Sequence, residues 1–260
     1  MPRKQRRRIT IALASLAALF LIQILNFVQQ IPLPASKEPA RFYSNQVGDD
    51  LEALYSQVID RAKHSILLVI YSLSDPTVLD ALNRKAEEGI SVTVLYDAEA
   101  SRSIKRELHP KISATARNSK GLMHQKILVI DSEEVWIGSA NMTRASLRHH
   151  ANLCMGVHAP LLAEHITHRA DLMRHRSEIA PASATRFLFE QQEFELWWLP
   201  NEAALDRLVS LIHGAQKTVR VAMYTWTHPR LSAACIEAQR RGVDVRIVID
   251  GEAAAGAGAA

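Results

Sequence analysis

Two cysteines, Cys154 and Cys235, are all that this 260-residue chain contains, and two are too few for a disulfide framework. They read as free, buried thiols, with pairing open to them only if the body is exported. Charge of one sign is equally scarce. The formal net charge is +4, but Arg3, Lys4, Arg6, Arg7 and Arg8 stand together at the start, and without them the 31 basic and 27 acidic residues nearly cancel. A body so close to neutral lacks the overall basic footprint of a sequence-independent nucleic-acid binder. Metal ligands in clusters are missing too. His165, His168 and His175 fall on one expected helix with Glu164 and Asp171 and without a cysteine, and they read as a solvated, partly charged helix face.

The N-terminus carries the first positive signal. Behind the basic cluster, Ile9 to Val28 is apolar except for Thr10, Ser15, Gln23 and Asn26, long enough to cross a hydrocarbon core as a helix. Small-x-small spacings such as Ala12-Leu13-Ala14 fall inside the apolar run, and no convincing cleavage site follows it before Ile31-Pro32-Leu33-Pro34. The expectation is a single-pass N-terminal transmembrane helix with the body on the non-cytoplasmic side, secretion after cleavage being the alternative. Pro32 to Asn45 shows no periodicity and is expected to be a linker. From Val47 onward the pattern is that of an α/β fold. Leu51, Leu54, Val58 and Ala62 recur at helical spacing. Ser65 to Tyr71 reads as a central strand covered on both faces, Pro76 opens a helix that Gly89 closes, and Ile90 to Tyr96 is the next strand. Leu161 to Arg176 is expected to be helical.

The chemistry concentrates in Met123-His124-Gln125-Lys126-Ile127-Leu128-Val129-Ile130-Asp131, followed by Gly138-Ser139-Ala140-Asn141. Ile127 to Ile130 reads as a buried strand, and His124 and Lys126, two apart, point the same way at its leading edge. An ammonium there could hold a phosphodiester for the neighbouring imidazole to attack. Asp131 would fix the imidazole tautomer or serve as support, and Ser139 and Asn141 would bind phosphate oxygens.

This spacing resembles the signature of the phospholipase D superfamily, the HKD-motif phosphodiesterases that include cardiolipin-hydrolase-like and cardiolipin-synthase-like members. The resemblance implies a phospholipase D-like layered α/β sandwich with a mixed central sheet and a phosphohistidine formed on His124. It further implies phosphate binding by Lys126, Ser139 and Asn141, support from Asp131, and no metal or cofactor. Family members usually bring two such motifs together, so that one His attacks while the other protonates the leaving group. Here one motif occurs, but a shift of 153 residues places Ala62 on Ala215, Tyr71 on Tyr224, Pro76 on Pro229, Gly89 on Gly242 and Asp97 on Asp250. No His-x-Lys occurs after Asp131.

The organisation expected is therefore a basic start and membrane segment at 1–30, a linker at 31–46, a repeat with the motif at 47–180 and an incomplete second repeat at 190–260. Three readings stay open: a homodimer that supplies the second His124, a truncated two-motif enzyme, or a chain without catalysis. A local basic group, Arg102, Lys105, Arg106, Lys111, Arg117 and Lys120, leads into the motif and either rims the site or forms a solvated loop and helix. The expectation is a membrane-associated phosphodiesterase acting on phospholipids, with an endonuclease or an inactive lipid-binding protein as alternatives.

Overall fold

The computed structural model describes Ser15 and residues 31–118, 121–175, 184–189 and 192–255. The chain divides into two compact units, residues 1–178 with 188–192 and residues 179–187 with 193–260. The expected transmembrane helix at Ile9–Val28 lies outside the described residues, apart from Ser15. Among the described residues no helix is long and apolar enough to cross a membrane.

The first unit is built on a seven-stranded mixed sheet in the order β1-β7-β6-β5-β2-β3-β4. Its strands are β1 (Arg41–Ser44), β2 (Ser65–Ile70), β3 (Ser91–Asp97), β4 (Ser113–Arg117), β5 (Lys126–Ile130), β6 (Glu134–Gly138) and β7 (Leu153–His158). β2, β3 and β4 run parallel, while β5, β6, β7 and β1 pair antiparallel. The carboxyl ends of β2, β3 and β4 and the first residue of β5 therefore share one edge.

Alternation in the strands sends Leu68, Ile70, Val94, Leu128, Ile130 and Trp136 into one core. It leaves Val69, Leu95, Ile127, Val129 and Val135 buried outside that core. Helix α1 (Leu51–Asp60) packs against α2 (Pro76–Glu87) and α3 (Arg144–Arg148), and α4 (Pro160–Arg174) packs against β4 and β6. Capping follows the sequence closely. The Asp75 side chain accepts the Val78 N–H with Pro76 in the first turn of α2, and Gly89 takes the left-handed φ of 89° that follows the helix.

The stretch expected as a linker belongs to the fold instead. β1 pairs with β7, Ile31 exchanges two hydrogen bonds with the Gln57 side chain (3.0 and 2.8 Å), and the Tyr43 hydroxyl donates to the Pro32 carbonyl. Four residues on a sheet edge are too few to show a period, which is why no strand was visible there.

In the second unit the 153-residue shift recurs in three dimensions. Its elements are α5 (Glu202–Gly214), β10 (Thr218–Met223), α6 (Pro229–Arg240), β11 (Asp244–Ile249) and α7 (Gly251–Ala255); earlier in the chain β8 (Thr185–Phe189) and β9 (Gln192–Leu196) form a separate two-stranded sheet. All six parallel pairs of β2 with β3, from Ser65↔Ser91 to Ile70↔Tyr96, map onto the pairs from Thr218↔Asp244 to Met223↔Ile249. Gly242, at φ 91°, stands where Gly89 does.

Candidate active site

β5 begins at Lys126, so His124 sits in the loop that enters the strand rather than on it. Lys126 Nζ donates to the His124 carbonyl at 2.9 Å and lies 5.0 Å from the centre of the Tyr71 ring. The His124 ring meets the same Tyr71 ring edge-on at 4.9 Å. Tyr71 follows β2, the antiparallel neighbour of β5, and its N–H donates to the Gln125 carbonyl at 3.0 Å. One aromatic ring thus contacts both residues of the motif.

The electrostatics follow from burial. Lys126 is 8% exposed, and no carboxylate pairs with it among the described residues. Burial lowers its pKa to about 8. His124 is shifted below its ordinary value, first by burial and then by the Lys126 charge, with Asp97 opposing both. At neutral pH the imidazole is therefore unprotonated and the ammonium still largely charged. A buried cation without a carboxylate counter-ion among the described residues, next to a neutral imidazole, is an arrangement suited to an anionic substrate.

Asp97 ends β3 at the same edge and is 5% exposed. Its Oδ1 accepts the N–H groups of Glu99 and Ala100, both at 3.0 Å, and its Oδ2 accepts the Met123 N–H at 3.1 Å, one residue before His124. Burial alone would raise its pKa. The N–H donors of Ala100, Met123 and Glu99, with the His124 charge, outweigh that and hold the carboxyl below the usual range.

Asp131 does not join this group. It ends the far side of β5, separated from Lys126 by about 16 Å of strand at 3.3 Å per residue. There its carboxylate accepts the N–H groups of Lys63, His64 and Ser65 at 2.7–3.2 Å. Fixing the His124 tautomer is excluded by this placement. The carboxylate instead fastens the loop before β2 to the β5–β6 turn, and its own φ of 54° marks that tight turn.

Ser139 follows β6, level with Gln125 on the neighbouring strand by the β5–β6 register. Its hydroxyl donates to Asn152 Oδ1 at 2.8 Å and accepts the Leu153 N–H at 3.1 Å. The chain then crosses from β6 to the segment after β2, where Met142 N–H donates to the Ser72 carbonyl and the Met142 carbonyl accepts from Ser74 and Asp75. Asn141 is carried over the leading end of β5 by this crossing. Its backbone N–H donates to Ser146 Oγ, while its side-chain Oδ1 is buried with no hydrogen-bond partner among the described residues. Asn152 completes the network by donating to the Ser146 carbonyl and hydroxyl.

Of the residues expected from sequence, His124, Lys126, Ser139 and Asn141 come to one edge and Asp131 to the opposite one. Tyr71 and Asp97 were visible only as positions that recur after 153 residues; their contact with the motif required the strand order. The three histidines of α4 and its end belong to no potential metal cluster among the described residues.

A layered mixed sheet with His-x-Lys at this edge is the phospholipase D class of fold and site, and the comparisons with known proteins agree. The family model described as cardiolipin synthase, PLD-like domain, matches residues 55–173 and 208–259, well over half of the chain, and the chain belongs to this family of the phospholipase D superfamily. It is 30% identical over 110 residues to a phospholipase D of Rickettsia conorii, covering 41% of this chain and 55% of that protein. It is 33% identical over 107 residues to cardiolipin synthase 2 of Bacillus cereus, covering 38% of this chain and 21% of that one. In fold it is similar to a phosphatidylserine synthase of Haemophilus influenzae, with a TM-score of 0.60 and 16% identity over 84% of this chain and 62% of the other. The chain spans about half the length of the Rickettsia relatives it matches.

Proposed function

We propose that this chain is a phospholipase D-type phosphodiesterase acting on phospholipids at a membrane surface. The observation that carries the reading is Lys126, a buried ammonium with no carboxylate partner among the described residues, hydrogen-bonded to the His124 backbone. A phosphodiester supplies the missing counter-ion, and Asn141, Ser139 and Lys126 bind its non-bridging oxygens. A neutral His124 nitrogen then attacks phosphorus, the bond from phosphorus to the departing alcohol breaks, and a general acid protonates that alcohol. Water next attacks the phosphohistidine, gives its proton to the conjugate base of that acid and releases the phosphomonoester and His124. A second copy of the chain, bringing its own His124, is the candidate for the acid. Tyr71 and Asp97 hold the motif in place, and Asp131 fixes the far end of the strand.

Trapping tests this. A short-lived incubation with a phosphatidyl diester, quenched at alkaline pH, should leave the phosphatidyl group, or the glycerophosphoryl group once its acyl esters are cleaved, on the peptide that contains His124; an unmodified peptide during active turnover would refute the covalent step. An endonuclease is the second reading, favoured by the exposed cations Arg102, Lys105 and Arg106 near the site. Nuclease turnover would decline steeply with salt as phosphate contacts are lost, whereas a lipid hydrolase responds to head group and interface. Silence on both classes of diester would leave the third reading, an inactive lipid-binding or interaction protein.

A further inference from the structure

The edge of the first unit that carries His124 also carries exposed apolar tips. Val47 is 81% exposed, Leu122 65% and Leu153 53%. Leu122 lies two residues before His124. Leu153 opens β7 and binds the Ser139 hydroxyl through its N–H. Val47 ends the 3-10 turn Asn45–Val47 after β1, whose Ser44 pairs with Leu153. The Asn45 side chain accepts the Asn152 N–H and donates to the His150 carbonyl, which fixes that turn beside the Ser139 network.

Cations flank the tips on the β4 side. Arg117 ends β4 opposite Asp97. Arg102 follows Ser101, whose hydroxyl donates to the Tyr71 carbonyl at 3.1 Å, and Lys105 and Arg106 lie in the 3-10 turn after it. The side-chain ion pairs of arginine and lysine in the described part of this unit use Arg41, Arg61, Arg84, Lys85, Arg148 and Arg174 instead. Lys111 precedes β4 and so falls at the opposite end.

Apolar tips and cations that make no ion pair among the described residues, together on one edge, match an anionic bilayer, in which aliphatic side chains enter the acyl boundary while cations meet head-group phosphates. A nucleic-acid strand uses the cations but leaves the tips in water. Single-strand binders stack bases on aromatic rings, and Val47, Leu122 and Leu153 are all aliphatic. From this juxtaposition we infer that the His124 edge is the surface by which the protein docks on anionic phospholipid, Val47, Leu122 and Leu153 inserting and Arg102, Lys105, Arg106 and Arg117 contacting phosphate. The inference rests on the lipid reading of the site and deepens it, because the docked edge delivers head groups to Lys126.

A position-specific probe tests it in the full chain. Cys154 and Cys235 are both buried, so a polarity-sensitive dye goes to an introduced thiol: Leu122→Cys at the docked edge, or Lys63→Cys beside Asp131 at the far one. With vesicles of equal parts phosphatidylcholine and phosphatidylglycerol, the dye at 122 should shift to the blue and the dye at 63 should not. Combining Leu122→Cys with Arg102→Glu, Lys105→Glu and Arg106→Glu should raise the lipid needed for half the shift on the order of 100-fold. Equal responses at 122 and 63, no response at 122, or a larger response to single-stranded DNA than to vesicles would overturn the surface. Diester turnover by the same preparation reports the function separately: a blue shift without turnover sinks the enzymatic reading and leaves the docking edge standing.

Discussion

The two halves of the repeat share local structure to the residue and differ in what surrounds it. Asp97 Oδ1 accepts the N–H groups two and three residues ahead, both at 3.0 Å, and Asp250 does the same with Glu252 and Ala253 at 3.0 Å. The backbone bond from Ile90 to Lys85 recurs from Val243 to Ala238. Yet Ile70, Val94 and Leu95 are fully buried, whereas their counterparts Met223, Ile247 and Val248 are 51%, 38% and 71% exposed. Caps, turns and register are written into each segment, so they recur. Burial and the candidate active-site edge come from partners outside the segment, here β4, β5 and the loop holding His124.

The largest expected contrast is in packing. Leu95→Ala should cost about 2–5 kcal/mol of stability in chemical denaturation, because it opens a cavity at a fully buried position on the other face of the sheet, while Val248→Ala at the matching position should stay within about 0.5 kcal/mol. Equal losses would mean that the second sheet is as enclosed as the first. Next comes the carboxylate pair. Asp97→Asn removes the charge facing His124 and weakens the hold on Met123, so kcat should fall about 100-fold with KM little changed, and the His124 titration followed by NMR should move to lower pH. Asp250→Asn should leave turnover as it is. Should both variants behave alike, Asp97 acts only on its own turn.

Smaller effects should be shared by the two halves. Gly89→Ala and Gly242→Ala should each cost about 1 kcal/mol, since both force a side chain into left-handed backbone with open space around the new Cβ. A loss at one site alone, read by differential denaturation, would break the local equivalence. Last is pH. Under the proposed function Lys126 binds phosphate as the cation, so kcat/KM should fall as pH rises through about 8, and at the acid end as the imidazole of His124 becomes protonated. A profile flat through that range would remove Lys126 from phosphate binding.

Much of this was legible in the sequence because the signals are local. β2, α2 and β3 follow from an apolar run, a Pro at the helix start and a Gly at its end, and the His124–Lys126 pair from its spacing. β7 went unread because Gly156 interrupts it. The glycine is there for Trp136, whose ring stands 2.5 Å from where a Cβ would be. β4 is short and only partly buried. Asp131 looked like a partner for His124 because both sit in one motif, but five strand residues carry them to opposite ends. Asp97, 27 positions away in the chain, is the carboxylate that reaches the loop, and only the strand order brings it there.

The central claim is that His124 is a nucleophile working with Lys126 at this edge. Its most direct test is the turnover of a chromogenic phosphodiester by the wild-type chain and by His124→Ala, without added metal and with molecular mass followed through a sizing column. Turnover should elute with a dimer and fall about 10⁴-fold in the variant; equal turnover by the two proteins would contradict a nucleophilic His124.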